Sequence, residues 1–358
     1  MIPILYEKDE TEFVSNGLGR LREITECRVT EERNGVYEAD FSFPVAGSHY
    51  EDIQHGRIIA VEHDDTGDIQ PFDIVSNSKP INGIVRFHAV HISYRQSKLT
   101  TFGTGINNLA TAFAMLANSE PGNPFTYETD KDKTSEAYLA AADGIPRSVK
   151  SMLGGVEGSI LDTYGGEYLF DKFTVSLLAS RGTERDFSIR YGVNLMDYSD
   201  DVNYIESYNA CIPYWSGTDS SGNPLIVRGG RVDSGLASYS GRIECIPLDL
   251  TSKFESQPTK AQLEAAAQTY MQSNQVNLPV QTMRVNFIRL QDSPEFAEYA
   301  ALFNCRLCDT VRVVFPRYNM DGKFKIVKTV YDSLKERYEE MELGVLSTTL
   351  SQALGLSK

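Results

Sequence analysis

The chain has 358 residues, 34 basic and 49 acidic, for a formal net charge of −15. Such a balance opposes attraction to phosphate backbones and anionic membrane surfaces, so a sequence-reading DNA binder is disfavoured. No apolar run approaches ~18 residues, so no transmembrane helix is expected, and the acidic, polar N-terminus lacks the pattern of a signal peptide. Five cysteines, Cys27, Cys211, Cys245, Cys305 and Cys308, are an odd number spread along the chain rather than a secreted disulfide framework. Buried, reduced thiols in a protein made soluble in a cytoplasm are the expectation. The length suffices for two or three domains, each with its own core.

From the N-terminus, the first clear signal is Asn34-Gly35, followed by Tyr37, Ala39, Phe41 and Phe43 on one face at period two. A type I′ turn at Asn34-Gly35 predicts a hairpin, which Pro44 ends. Residues 57–62 and 72–76 read as short strands, and a second Asn-Gly, Asn82-Gly83, introduces a strand over 84–93. Residues 1–95 therefore read as a small, mostly antiparallel, β-barrel-like domain.

The period then changes. Ile106, Leu109, Ala110, Phe113 and Leu116 recur at helical spacing, and Pro121-Gly122-Asn123-Pro124 breaks the chain. A second helical region from Pro146 carries Val149, Met152 and Leu153, is interrupted at Gly154-Gly155, and continues with Val156, Ile160 and Leu161. Residues 166–178 read as a hairpin bent at Asp171-Lys172. Helices followed by a hairpin predict an α+β insertion over 96–200.

Strands resume at 207–214 and 225–227 across a turn-forming run. Thr259 and Gln262 form a capping pair ahead of a helix bearing Leu263, Ala266, Ala267, Tyr270 and Asn274. Ser293-Pro294 starts a shorter helix with Phe296, Ala300 and Phe303. Three strands close the chain: one through Val311, Val313 and Phe315, one through Phe324, Ile326 and Val330, and one over 336–343, with Asp321-Gly322 as a tight turn between the first two. A terminal meander cannot bury both faces, so the strands at 207–214 and 225–227 are expected to complete its sheet. That predicts a second β-barrel-like domain over 201–344, interrupted by helices. Residues 345–358 hold Leu346, Leu350, Ala353 and Leu354 at helical spacing and read as a helical connector to a further module. The fold class is α+β: two mostly antiparallel β-barrel-like domains with α+β insertions.

Eight short stretches now stand in series: Ile2-Pro-Ile-Leu-Tyr6, Asn16-Gly-Leu-Gly19, Val29-Thr-Glu-Glu-Arg-Asn-Gly35, Gln70-Pro-Phe-Asp73, His91-Ile-Ser-Tyr94, Ile189-Arg-Tyr-Gly192, Pro213-Tyr-Trp215 and Leu307-Cys-Asp-Thr-Val311. Together they resemble the N-terminal region of siphophage and prophage tail-tip proteins, the tail-associated endopeptidase family, which is similar to the baseplate hub of contractile phage tails. The resemblance implies two related β-barrels per subunit and a homotrimer presenting six quasi-equivalent barrels as a ring. That ring would join the tail tube to the tip of the virion and let DNA pass. Distal tail, tail tube, tape measure and receptor-binding tip proteins are the partners it implies. Longer members continue into a peptidase, lysozyme-like or receptor-binding module; this chain stops where such a module would begin, so no catalytic residue is carried over.

The residues with possible chemistry have bland readings beside them. His88 and His91 lie in a strand, where i and i+3 point to opposite faces, so ordinary sheet positions outweigh a joint metal site. His49, His55 and His63 sit in polar loops without a spaced carboxylate or cysteine partner. Cys305 and Cys308 have redox or half-zinc spacing, but no second pair exists and two buried thiols are expected. Gly154 to Gly158 lacks the lysine of a phosphate loop and reads as a helix break. Glu336, Glu339, Glu340 and Glu342 read as a solvated strand face. Trp215, with Tyr208 and Tyr214, is either a sugar platform or part of a core. No catalytic, cofactor or metal residue is nominated. The leading expectation is a non-enzymatic structural hub; a cell-wall hydrolase and a carbohydrate-binding adhesin are its rivals.

Overall fold

The structure, a computed structural model, describes residues 1–190, 195–219, 222–274, 276–278, 280–287, 305–315 and 320–344. The expected helix after Ser293-Pro294 and the expected connector at 345–358 lie outside them.

Seven strands open the chain: β1 (Ile4–Tyr6), β2 (Gly19–Arg20), β3 (Glu26–Glu32), β4 (Tyr37–Pro44), β5 (Ile58–Glu62), β6 (Ile69–Asn77) and β7 (Ile84–His91). They pair antiparallel in the order β3-β4-β7-β6-β5-β1-β2. Alternation places Cys27, Val29, Tyr37, Ala39, Phe41 and Phe43 in one core. Ile58 and Ala60 of β5 face a second, smaller core with Ile4 and Tyr6, while Ile59 and Val61 face the first. Strands buried on both sides need continuous apolar runs, and Ile58-Ile-Ala-Val61 supplies one.

Turn chemistry separates the two Asn-Gly pairs. Asn82 and Gly83 both have positive φ, 52° and 76°, with Ile81 and Ile84 exchanging two backbone hydrogen bonds across them, as a type I′ turn requires. At the other tip only Asn34 turns positive, at 58°, so the hairpin forms without the expected type I′ geometry. Asn34 is held there by the next unit: its Nδ2 donates to the Gly166 carbonyl at 3.0 Å, and its Oδ1 accepts from the Tyr168 N–H at 2.7 Å.

That unit carries β8 (Thr100–Thr101), α1 (Leu109–Ala117), β9 (Thr126–Thr129), β10 (Arg147–Ser148), α2 (Val149–Leu153), α3 (Ile160–Tyr164), β11 (Glu167–Asp171) and β12 (Thr174–Leu178). Gly154 ends α2, as the helix break predicts, and Lys172 at φ 51° makes the bend between β11 and β12. The helices bury Leu109, Phe113, Leu116, Val149 and Ile160 against Val175 and Leu177 of the three-stranded sheet β11-β12-β9.

The chain then re-enters the main sheet with β13 (Glu184–Arg190) and β14 (Leu195–Asn203), leaves it for β15 (Ala210–Thr218), β16 (Pro224–Arg228), β17 (Val232–Asp233), β18 (Cys245–Asp249) and α4 (Lys260–Ser273), and returns as β19 (Val280–Phe287), β20 (Thr310–Phe315), β21 (Met320–Asp332) and β22 (Arg337–Gly344). Two expectations fail here. The strands at 207–214 and 225–227 do not complete the meander's sheet: β15 and β16 belong to a separate four-stranded sheet. The core face of β15, with Cys211 and Trp215, is already covered by Leu263, Ala267 and Met271 of α4, whose Thr259–Gln262 capping box is formed as expected. Asp321-Gly322 is no turn either. Both residues lie inside β21, opposite Val314 and Val313, and the Phe315–Met320 pairing moves the connection to 316–319, outside the described residues. Pro316 has no N–H for the ladder, so β20 ends at Phe315.

The meander's partners are β13, β19 and, from the far end of the chain, β3, with β14 pairing onto the outer edge of β19. One edge of β21 is divided: Met320 to Lys325 pairs with β20, and Lys328 to Asp332 with β3, while β22 runs along the other edge. Among the described residues this makes one thirteen-stranded sheet, open from β14 to β2 and not closed into a barrel. The fold is mixed α+β, mostly sheet. No helix among the described residues is long and apolar enough to cross a membrane.

Candidate functional site: a buried ionic joint

Where β3, the hairpin β11-β12, the 181–185 segment and β21 meet, charged side chains are buried. Position 31 continues the inward face of Cys27 and Val29, so β3 delivers a carboxylate to an apolar side, and Glu31 is 5% exposed. Its Oε1 accepts from Arg181 Nη1 at 2.5 Å, and Oε2 lies 3.5 Å from His63 Nδ1. Burial alone would raise the Glu31 pKa; the Arg181 guanidinium and His63 outweigh it and hold the group at about 2. A second carboxylate, Glu167, accepts from Lys325 Nζ at 2.5 Å and from the Arg181 N–H at 2.8 Å, with Arg33 at 3.5 Å. Burial opposes its ionisation too, but Lys325 and the Arg181 N–H prevail and lower its pKa.

Asp309 completes the joint, accepting from the Thr183 N–H at 2.9 Å, Arg185 Nε at 2.7 Å and the Arg306 N–H at 2.9 Å. The backbones pass so closely here that a Cβ on Gly182 would stand 2.1 Å from the Cys308 carbonyl, which only glycine tolerates. Arg306 Nε also reaches back to Asp65 at 2.9 Å.

The histidines divide as the strand period predicts. His88 faces outward, 2.9 Å from Asp40, whereas His91 is fully buried, stacked on Tyr37 at 4.3 Å. Ser93 N–H donates to His91 Nδ1 at 3.2 Å and the other ring nitrogen meets Gln70 Oε1 at 3.3 Å. Gln70 in turn binds the hairpin bend, donating to Asp171 Oδ1 at 2.9 Å and accepting from the Lys172 N–H at 2.9 Å. Burial depresses the His91 pKa to about 3. His63 corrects the expectation of a polar loop: it is 7% exposed, between Glu31 and Asp64. His49 likewise has a carboxylate, Asp52, at 3.1 Å. The His63–Glu31 contact was not legible because it depends on distant segments folding together, whereas His49–Asp52 is a local i,i+3 pair that the spacing offered.

Other candidates resolve into packing. Cys305 and Cys308 are buried among Ile189, Val311 and Val313, and burial pushes the Cys308 thiol up to about 12. Trp215 is 5% exposed and donates Nε1–H to the Phe254 carbonyl at 3.3 Å, which removes the sugar platform. The acidic strand is not wholly solvated: Glu342 is 8% exposed and 3.5 Å from Lys328, and Glu336 pairs with the N-terminal amine at 2.7 Å. Among the described residues, no three or more His, Cys, Asp and Glu side chains gather as metal ligands. Carboxylates held this acidic are poor proton donors at neutral pH, and a thiol near 12 is a poor nucleophile. What the joint can do is tie β3, the β11-β12 hairpin, the 181–185 segment and β21 to one another.

This architecture is shared with known proteins. The prophage tail protein gp18 from Listeria monocytogenes EGD-e superposes with a TM-score of 0.64 at 15% identity, over 99% of this chain and 98% of that one. A tail protein from Neisseria meningitidis MC58 gives 0.58 at 11% identity over 98% of each chain. The 43 kDa tail protein of prophage MuSo2 from Shewanella oneidensis gives 0.57 at 10% identity, over 97% and 99%. No family model matches the sequence, and no curated protein sequence matches it. The fold is that of prophage tail proteins, end to end.

Proposed function

We propose that the protein is a non-enzymatic structural component of a phage tail tip: a homotrimeric hub ring that joins the tail tube to the tip and lets DNA pass. The observation that carries this is the likeness to the Listeria tail protein over 99% of the chain, insertions included. On this reading the two quasi-equivalent, barrel-like hub domains fall at 1–95 and 201–344, the second gaining β13 and β14 from the 96–200 insertion and carrying 204–279 as an insertion of its own, with 345–358 a connector. Distal tail and tube proteins are the neighbours. The buried joint supports the reading, since six units share one ring only if the N-terminal strands and the C-terminal meander of each subunit are held rigidly together.

Sedimentation and negative-stain microscopy test it. The expected result is a trimer with a central hole; a monomer at every concentration and ionic strength overturns autonomous assembly. Purified protein should also leave peptidoglycan intact, with or without zinc. Hydrolysis abolished by one carboxylate or histidine substitution would make it a cell-wall hydrolase instead.

A further inference from the structure

At the free end of the main sheet, beside β2, lies an open pocket of about 440 Å³ lined by Asn16, Arg20, Arg22, Glu23, Ser48 and His49. Elsewhere in this acidic chain, arginines are mostly engaged: Arg57, Arg95, Arg147, Arg181, Arg185 and Arg306 each reach a carboxylate. Arg20 and Arg22 do not. Arg20 reaches only Asn16 Oδ1, at 3.4 Å, and Arg22 makes no ion pair among the described residues. The pocket's own carboxylate, Glu23, is turned onto Ser48, accepting from its N–H at 3.3 Å and its hydroxyl at 2.9 Å. The His49 ring forms one wall because position 19 is glycine: a Cβ there would stand 2.6 Å from His49 Nε2. Asp52 anchors the opposite ring nitrogen at 3.1 Å.

Two forked guanidiniums without carboxylate partners, beside the Asn16 amide, suit carboxylates. We propose that this pocket receives an acidic segment of a second copy of this chain. Subunits of −15 repel one another, so a lasting contact between copies needs a local site of opposite sign, and the chain's 49 acidic residues supply the complement. A basic pocket meeting an acidic segment is a heterologous contact, the kind that closes rings. The inference rests on the ring reading, and its test separates the two.

The full chain is compared by sedimentation with R20E/R22E, with R20K/R22K, and with R228E/R337E, which reverses two exposed arginines elsewhere and changes net charge equally. R20E/R22E should associate about tenfold more weakly at low salt, with the gap closing as salt rises; R20K/R22K should retain most association and R228E/R337E should lose little. Equal losses in the two reversal variants overturn the pocket's role. Where the unmodified chain is monomeric, the ring reading fails, and hexaglutamate binding decides the pocket: calorimetric binding lost in R20E/R22E supports it, and absence of binding overturns it. Binding of inorganic phosphate but not of hexaglutamate also overturns the acidic-segment assignment.

Discussion

Glu31 concentrates the energetics of the joint. Its ionised form is tied to Arg181, and neutralising it leaves a buried guanidinium with reduced compensation; removing one partner of such a pair costs about 3–5 kcal/mol. Glu31→Gln should therefore lower the urea midpoint markedly. Acid acts on two groups in separate windows. The His91 pKa falls from an ordinary 6.5 to about 3 in the fold, so the unfolded chain takes the proton first and stability, full above 6.5, declines as the pH drops toward 3. Glu31, at about 2 against an ordinary 4.5, adds its loss only below 4.5. His91→Gln should flatten the dependence between pH 6.5 and 4.5 by up to ~1.4 kcal/mol per pH unit, read from urea midpoints across that range. An unchanged slope would mean that His91 is not held neutral. Trp215 tests the loss of the sugar platform: as a core residue, its replacement by alanine should cost about 3–5 kcal/mol.

Turns and insertions behave as elements. Gly83 occupies a positive-φ turn position at 76°, so Gly83→Val should cost about 1–2 kcal/mol. Gly322, opposite Val313 within β21, has no positive φ, and an added Cβ would press only on the Phe324 ring at 3.2 Å, so Gly322→Ala should cost less than Gly83→Val, no more than about 1 kcal/mol. Equal sensitivity at the two sites would contradict the strand register. The second insertion is separable on the same grounds. Asn203 and Val280 are directly paired in β14 and β19, while the four-stranded sheet and α4 have a core of their own. Replacing 204–279 by Asn-Gly should leave a folded chain with its remaining circular dichroism intact; aggregation of that deletion would show that the insertion supports the sheet.

Across the whole molecule, charge governs association. Three copies at −15 each would repel strongly, so on the proposed ring reading the trimer population should rise with salt as the repulsion is screened. The same charge should deny the ring any measurable affinity for double-stranded DNA, since few phosphates would be neutralised and little counterion release gained. Sedimentation across a salt series, with and without duplex DNA, checks both; tight low-salt binding would remove the idea of a channel that repels its cargo.

Local rules were readable in the residues themselves. Period two located β4, β7 and β20, Thr259–Gln262 marked the start of α4, and Asp171-Lys172 marked its hairpin, because each depends on neighbours within a few positions. Pairing across long separations was not so determined. An inward-facing sheet edge specifies that a partner exists without saying which one, so the meander's partner could be assigned to 207–214 when β21 in fact takes β3, some three hundred residues away. For the same reason nothing in the local sequence singles out Glu31, Glu167 and Asp309 from the chain's other carboxylates. Only the tertiary structure, by bringing Arg181, Lys325 and Arg185 within 2.7 Å of them, made it favourable to bury them charged.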